Sequence, residues 1–287
     1  INWSQKTFSI DISDRFSGIN RMFFDNSVFD FYSSLFNGAS LITIKDELLL
    51  TPRKIILYLS KKRCSILFAV PSFFVYCLKL RSFTSNDLID LRAFVFGGEA
   101  FPKNMFRQLV QIYGYQKEFY NVYGPTESTC ICSHYKVKEH DLLSDKILPI
   151  GKIIDNVDFL IVNEELQEVS NFDIGELLIG GSNISPGYIN SEDLNLKYFI
   201  QNPMHNQFLD IFYKTGDLVK IDDDDNMYFH GRLDNQIKRM GFRIELEEIE
   251  QAFNSLNYIL ESAAVSKSNS GIVQIWIFIT SVNHDKR

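Results

Sequence analysis

The sequence predicts an α/β protein: a large N-terminal domain, in which a mixed sheet with helices adjoins a β-rich part, and a small C-terminal α+β domain. Strand-like and helix-like segments alternate over residues 27–135, which indicates a parallel or mixed sheet covered by helices. Short strands between turn residues follow, and then an amphipathic helix and two strand-like runs. We expect the α/β part at 1–150, the β-rich part at 151–233 and the small domain at 234–287, with both ends of the chain truncated.

Strand, turn and helix signals follow one another through the first part. "SILFAVP" is typical of a buried strand that Pro71 ends. "LRAFVFGGEAFP" predicts a strand over 92–96, a Gly-Gly turn and a helix that begins near Pro102. "KNMFRQLVQIYG" has apolar residues at helical spacing and ends at Gly114, and "EFYNVYG" is again a short strand that runs into a turn.

The pattern of secondary-structure signals changes after residue 150, from alternating strands and helices to short strands. "VDFLIVN", "GELLIGG" and "NMYFHGR" are short strand-like pieces, and the run "DDDDN" before the last of them suits a solvated hairpin tip. A calcium loop is the alternative for this run, although it lacks the usual ligand spacing and the distant glutamate. "IELEEIEQAFNSL" then predicts an amphipathic helix, with strands expected at 261–267 and 273–282. The apolar side of that helix would carry Ile244, Ile249, Ala252, Phe253 and Leu256.

Charge and composition exclude two classes of partner. Lysine and arginine number 29 against 36 acidic residues, so the net charge of −7 provides no basic field for nucleic acid. The apolar runs are shorter than the roughly 20 residues that span a bilayer, so we expect no membrane association. The four cysteines show no zinc-ligand spacing and are expected to be reduced thiols, which is typical of a cytoplasmic protein.

The stretch "NVYGPTEST" (121–129) places a carboxylate and two hydroxyls directly after a Gly-Pro turn that follows a tyrosine. Taken singly, this motif and the others are weak signals, but six of them occur in a fixed order along the chain. They are "FDNSV" (24–28), "FGGEA" (96–100), "NVYGPTE" (121–127), "GELLIGGSNISPGYIN" (175–190), "YKTGDL" (213–218) and "GRLDNQIKRMGFRIELEEIE" (231–250).

This series resembles the adenylate-forming (AMP-binding) enzymes, specifically the amino-acid adenylation domains of nonribosomal peptide synthetases and the D-alanine–carrier-protein ligases. The resemblance covers nearly the whole chain. It implies that an amino-acid carboxylate attacks the α-phosphate of ATP, with Mg²⁺ present, to give an aminoacyl-adenylate and pyrophosphate. The phosphopantetheine thiol of a carrier protein then takes the acyl group.

The resemblance also implies roles for particular residues. Thr126 would reach the α-phosphate and Glu127 would hold Mg²⁺, which makes them the expected catalytic pair. Tyr123 would lie against adenine, while Asp217 would accept both ribose hydroxyls. The positions matched to nucleotide binding are Gly97, Gly98, Asn121, Tyr123, Asp217 and Arg232.

The expected substrate is a small or apolar amino acid. In relatives that activate α-amino acids, an aspartate at the position of Asp25 binds the substrate ammonium. The alternative is that Asp25 only caps a helix that starts near Ser27, in which case the substrate could be an aryl or fatty acid. The remaining substrate-pocket positions taken from the resemblance are Asn26, Phe29, Ser72, Phe94, Phe96, Val122, Cys130 and Ile131.

Three further positions are interpreted in the second half of the chain. Asp234 would be the hinge about which the small domain turns between the two half-reactions, and Gly241 would leave room for the pantetheine arm. Glu176 is expected to pair locally rather than to act in the site. Two other hypotheses for the function of the chain remain open: it could be an acyl- or aryl-CoA ligase of the same superfamily, or a non-catalytic remnant.

Two parts of the family pattern do not occur in this sequence. We find no Gly/Ser/Thr-rich phosphate loop that ends in Lys-Gly, and no lysine that we assign to the substrate carboxylate and α-phosphate. We therefore expect this chain alone to show weak or no ATP–pyrophosphate exchange, although it should still bind AMP or ATP weakly. Exchange assayed on this chain with a panel of amino acids checks this, and robust turnover would contradict it.

Overall fold

The computed structural model describes residues 1–170, 172–269 and 272–281. Its first sheet has seven strands in the order β2-β1-β3-β4-β5-β6-β7, of which β1 to β5 pair in parallel and β6 and β7 pair antiparallel. The sheet is therefore mixed, as the alternating pattern predicts. The strands are β1 Arg15–Gly18, β2 Ser40–Thr43, β3 Ile66–Ala69, β4 Ala93–Gly97, β5 Glu118–Tyr123, β6 Ser133–Lys136 and β7 Lys152–Ile153.

Helices connect these strands and cover the sheet. Pro52 and Pro71 stand in the first turns of α4 and α5, where proline removes no helical hydrogen bond. The α-helices of this part are α1 Asn2–Phe8, α2 Asn26–Val28, α3 Asp46–Leu49, α4 Pro52–Lys61, α5 Pro71–Lys79 and α6 Lys103–Tyr113. A π-helical segment, Phe29–Ser33, continues α2, and two 3₁₀ segments follow at Thr126–Ser128 and Glu139–Leu143.

Strand β4 separates two hydrophobic clusters because successive side chains of a strand point to opposite faces. Phe94 and Phe96 belong to the cluster under α4, α5 and α6, whereas Ala93 and Val95 belong to the cluster on the other face, with Phe29. All four β4 side chains named here are fully buried. The sequence of β4 is therefore a continuous apolar run and does not alternate between apolar and polar residues.

The second sheet is antiparallel and has the order β10-β11-β9-β8, with β12 paired to β11. Its members are β8 Val157–Val162, β9 Gly175–Gly181, β10 Phe199–Gln201, β11 Ile211–Ile221 and β12 Met227–Arg232, and helix α7 is Glu192–Tyr198. The acidic run 222–226 is the tip between β11 and β12, as expected. Backbone bonds between Gly151 and Met227 join this sheet to the end of the first one.

The C-terminal part begins with a hairpin, β13 Ile237–Arg239 and β14 Phe242–Ile244, followed by α8 Leu246–Asn254. Ile244 was expected on the apolar face of the helix, but it pairs with Ile237 in the hairpin, so this prediction is wrong. The backbone of Ile244 is held in β14 by antiparallel pairing with β13, so the helix starts only after it. Strands β15 Ile259–Asn269 and β16 Ile272–Ser281 then pair antiparallel; the remainder of the predicted strand and small domain beyond Ser281 lies outside the described residues.

These observations confirm the predicted α/β class. Among the described residues, no helix combines the length and apolar character that crossing a membrane requires. All four cysteines, Cys64, Cys77, Cys130 and Cys132, are free and buried.

A buried ion pair holds together the amino ends of three strands, on the edge opposite the carboxyl ends of β3 to β5. Arg92 donates from Nε and Nη2 to the two oxygens of Asp14 at 2.9 and 2.7 Å, and the Ser65 hydroxyl donates to Asp14 Oδ1 at 2.7 Å. Burial by itself raises the pKa of Asp14, but the bonds from Arg92 and Ser65 outweigh it and hold the pKa below its ordinary value.

We predict that Asp14→Asn lowers the free energy of unfolding by about 1–3 kcal/mol at pH 7, because it leaves a half-buried guanidinium unpaired. Because the pKa of Asp14 is lower in the folded protein than in the unfolded chain, its charge contributes its full stabilisation above the unfolded-state pKa. This contribution disappears as the pH falls through the folded-state pKa, and the difference between the variant and the unvaried protein should disappear with it. Urea unfolding at several pH values measures it. Asp155→Asn, which removes an exposed partner of Lys6, is the control and should change little; equal losses for both variants would contradict the prediction.

Candidate active site

A cleft opens at the carboxyl ends of β3, β4 and β5, the usual position for a ligand site in a parallel sheet. The second sheet and the β13–β14 hairpin form its other walls. At two positions in the cleft the backbone is so close to a neighbouring segment that only glycine fits. A Cβ on Gly97 would lie 2.3 Å from the Val122 carbonyl oxygen, and a Cβ on Gly124 would lie 2.2 Å from the Cys130 carbonyl oxygen. The predicted site residues that line the cleft are Asp25, Asn26, Gly97, Gly98, Val122, Thr126, Cys130, Ile131, Asp217, Arg232 and Gly241.

The Asp217 carboxylate is the centre of a buried network. The Tyr123 hydroxyl donates to its Oδ2 at 2.6 Å, and Arg232 Nη1 donates to its Oδ1 at 2.5 Å. Arg232 also forms a two-bond pair with Asp234 at 2.6 and 2.7 Å. Two neighbouring carboxylates therefore share one guanidinium, and side chains from β5, β11 and β12 meet at one point.

Asp217 lies at an irregularity of β11, a local turn of the backbone at Gly216 that is bound by Glu176. Gly216 has φ +70°, and its N–H donates to Glu176 Oε1 at 3.1 Å. The other oxygen of Glu176 lies 3.5 Å from Lys214 Nζ. Glu176 thus pairs locally, as the sequence suggested, and it also positions the turn of the "TGD" tripeptide.

Glu127 lies in the short 3₁₀ turn after Pro125, and only 6% of its side chain is exposed. Its Oε1 accepts the Tyr188 hydroxyl and, at 2.7 Å, Arg243 Nη1. Its Oε2 is buried and has no hydrogen-bond partner among the described residues. Burial by itself raises the pKa of Glu127, but the Arg243 charge and the Tyr188 bond outweigh it and hold the pKa below its ordinary value.

The β13–β14 hairpin, residues 237–244, enters the cleft and is attached to its wall by Glu99. The Gly241 N–H donates to Glu99 Oε1 at 2.6 Å, and the Ser72 N–H at the start of α5 donates to Glu99 Oε2 at 3.0 Å. Lys238, from the same hairpin, has its ammonium 5.9 Å from the centroid of the Tyr123 ring. Burial lowers the pKa of Lys238, which nearby Asp217 opposes.

Asp25 stands at the N-cap position of α2, but its side chain makes no capping hydrogen bond. The helix-cap explanation of this residue therefore finds no support in the structure. The carboxylate lines the cleft together with Asn26, whose Oδ1 lies 4.0 Å from Cys130 Sγ. Cys130 itself has φ +77°, a conformation that non-glycine residues adopt rarely.

Several predicted site residues do not line the cleft. Phe94 and Phe96 were expected in the substrate pocket, but they point to the opposite face of β4 and pack under the helices, so the structure corrects this expectation. Phe29 is buried in the core beneath the cleft, and Ser72 contributes its backbone N–H to Glu99. Asn121 is likewise turned away, since its Nδ2 donates to the Pro149 carbonyl at 2.7 Å.

Sequence reasoning missed four side chains that the structure brings to the site: Glu99, Tyr188, Lys238 and Arg243. Only Gly241 of the hairpin was assigned a role near the site, although the three cations around it in an acidic chain, Lys238, Arg239 and Arg243, could have drawn attention to the segment. Nothing local to Tyr188 distinguishes it, because its contact with Glu127 spans 61 residues.

Comparison with known proteins gives the family. Residues 1–189 match the family model described as AMP-binding enzyme. Bacitracin synthase 1 of Bacillus licheniformis is 38% identical over 229 residues, which are 79% of this chain and 4% of that protein. The D-alanine–D-alanyl carrier protein ligase of the same species is 32% identical over 267 residues, which cover 92% of this chain and 51% of the ligase.

A solved structure agrees with these matches. The Vibrio cholerae adenylation domain AlmE, in complex with glycyl-adenosine-5′-phosphate, superposes with a TM-score of 0.84 at 27% identity, over 97% of this chain and 52% of AlmE. The chain spans about half, or less, of the length of the curated relatives described here. The matched family model covers well over half of the sequence, and the chain therefore belongs to the AMP-binding enzyme family.

Proposed function

We propose that the protein activates an amino acid with ATP and passes it to a carrier-protein thiol. In the first step a carboxylate oxygen of the amino acid attacks the α-phosphorus, the bond to the β-phosphate breaks, and pyrophosphate leaves. In the second step the phosphopantetheine sulfur attacks the acyl carbon, the thiol proton is released and AMP leaves. The buried thiols of the chain suit a cytoplasmic setting for this reaction.

The observation that carries the proposal is that two carboxylates, Asp25 and Asp217, line one cleft, with Thr126 beside them in its lining. Asp217 offers two oxygens, each already oriented by one donor, and its free lone pairs suit the vicinal ribose hydroxyls. Asp25 makes no capping bond, so a substrate ammonium is its natural partner. Thr126 is exposed and lines the same cleft, which supports a role for its hydroxyl as a donor to a phosphate oxygen.

The residues present fit a Mg²⁺ ion at Glu127. Its Oε2 is buried without a partner among the described residues, which is a costly state for a carboxylate oxygen. Within the described parts of the chain, no group of three or more His, Cys, Asp or Glu is arranged as a complete metal cage. Mg²⁺ commonly takes one or two carboxylates and completes its shell with phosphate and water, and when bound it would neutralise phosphate charge.

The position of Tyr123 limits how adenine could bind. Its hydroxyl is engaged by Asp217 and only 7% of the residue is exposed. Lys238 lies over its ring, so adenine stacking on Tyr123 requires the Lys238 side chain to move. Tyr123 therefore contributes to the proposed site first as the residue that orients Asp217.

We predict that Asp25→Ala abolishes amino-acid use and leaves use of carboxylic acids without an α-amine within a fewfold, because only the ammonium loses its partner. The measurement is pyrophosphate exchange by the full-length protein with a panel of amino acids and their des-amino analogues. Asp155→Ala, which removes an exposed carboxylate that does not line the cleft, is the control and should change neither activity. If Asp25→Ala changes pyrophosphate exchange equally with amino acids and with their des-amino analogues, the hypothesis of an acyl- or aryl-CoA ligase is favoured.

We also predict that AMP binds roughly 10-fold or more tightly than 2′-deoxy-AMP or 3′-deoxy-AMP, since a hydrogen bond to a charged acceptor is worth about 1.5–3 kcal/mol. Calorimetry on the unvaried chain measures this without any risk to folding. Removal of the 5′-phosphate should weaken binding but preserve the ratio between ribose and deoxyribose forms. Deoxy nucleotides that bind as tightly as AMP would argue against a ribose contact at Asp217.

A further inference from the structure

We infer that Arg243 is an internal counter-ion that exchanges with Mg²⁺ at Glu127, so that the docked β13–β14 hairpin and a metal–nucleotide complex exclude each other there. The inference rests on the proposed function, because that function makes Glu127 the metal ligand. It concerns which cation neutralises one buried carboxylate in each of the two half-reactions.

The Glu127 side chain is 6% exposed and needs a positive partner, because a buried carboxylate without one is strongly destabilised. In this structure the partner is Arg243, whose Nη1 lies 2.7 Å from Oε1. The Tyr188 hydroxyl adds a neutral hydrogen bond to the same oxygen. No other salt bridge to Glu127 occurs within the described residues, so Arg243 is the cation that neutralises it here.

A divalent cation and a guanidinium cannot both be held closely by this carboxylate without strong mutual repulsion. Like charges a few ångströms apart repel most where water is excluded, and Glu127 is in such a place. Arg243 is 39% exposed, so it can leave through the open side of the cleft. Binding of the metal at Glu127 is therefore expected to displace Arg243, and docking of Arg243 to displace the metal.

The displacement would involve the hairpin as a unit. Gly241, two residues before Arg243, is bound through its N–H to Glu99, and Lys238 lies over Tyr123. The Phe242 ring also lies against that of Phe24, with the ring centroids 5.4 Å apart, so Arg243 is one of four attachments of the hairpin to the cleft named here. When the C-terminal part moves away, Glu127 becomes available for a metal; when pyrophosphate departs with its metal, the docked hairpin restores a positive charge.

The first experiment compares nucleotide affinities by calorimetry on the full chain. The probes are α,β-methylene-ATP with excess Mg²⁺, and AMP in EDTA. Arg243→Gln should tighten binding of the Mg²⁺ complex by about 3- to 10-fold, because it removes the competing cation, and should leave the affinity for metal-free AMP within about twofold. Arg239→Gln, an exposed charge of the same hairpin, is the matched control and should change neither affinity.

The second experiment follows the hairpin itself. A fluorophore pair on Lys79→Cys in α5 and Glu248→Cys in α8, both exposed, reports the distance between the two parts of the chain. Adding the Mg²⁺ complex should lower energy transfer in the otherwise unvaried chain. Arg243→Gln should start from low transfer, and so should Glu99→Gln, which weakens the acceptor of Gly241 without touching Glu127.

The outcomes separate the two proposals. If AMP binds but Arg243→Gln matches Arg239→Gln in both experiments, the counter-ion exchange is wrong and the proposed function stands. The same conclusion follows if the Mg²⁺ complex binds without lowering energy transfer. If neither AMP nor the ATP analogue binds the unvaried chain, the proposed function fails and the exchange at Glu127 fails with it.

Discussion

Burial of the Asp217 carboxylate is the constraint on which the cleft depends. A carboxylate that is 3% exposed requires donors, and the donors come from different parts of the fold: the Tyr123 hydroxyl from the parallel sheet and the Arg232 guanidinium from the antiparallel one. The Tyr123–Asp217 bond therefore links the two sheets, in addition to the backbone hydrogen bonds between Gly151 and Met227. The Glu176 bond to Gly216 holds the turn that points Asp217 into the cleft, so the second sheet positions this charge as well as enclosing it.

A second constraint of the same kind acts on the hairpin. Glu99 and Glu127 lie on loops that follow β4 and β5, and each is bound by the hairpin, through the Gly241 N–H and the Arg243 guanidinium respectively. One attachment uses a backbone N–H, at a glycine with φ +81°, and the other uses a charge. A hairpin bound to the cleft by a backbone hydrogen bond and an ion pair can separate and return, which suits the two consecutive reactions proposed above.

Much of the architecture could be predicted because local signals agree with it. Pro71 and Gly114 were expected to end a strand and a helix, and β3 and α6 end just before them; the alternation of strands and helices predicted the fold class. The failures have physical causes. Phe94 and Phe96 could not be assigned a face, since a strand buried on both sides has no alternating pattern. Ile244 fits a helix by spacing but is held by pairing with Ile237. The Glu127–Arg243 contact joins residues 116 apart, and no local pattern encodes it.

The bonds of Arg232 to both Asp217 and Asp234 affect how fast the C-terminal part could move. Its guanidinium is shared between Asp217, which belongs to the body of the protein, and Asp234, which lies where the chain leaves the second sheet. A rotation at residue 234 would have to break two short charge-assisted bonds before any new contact forms. If Asp234 is the hinge, as the resemblance implies, these bonds place an activation barrier at the start of the rotation, and the frequency with which that barrier is crossed would set an upper limit on the rate of the proposed reaction.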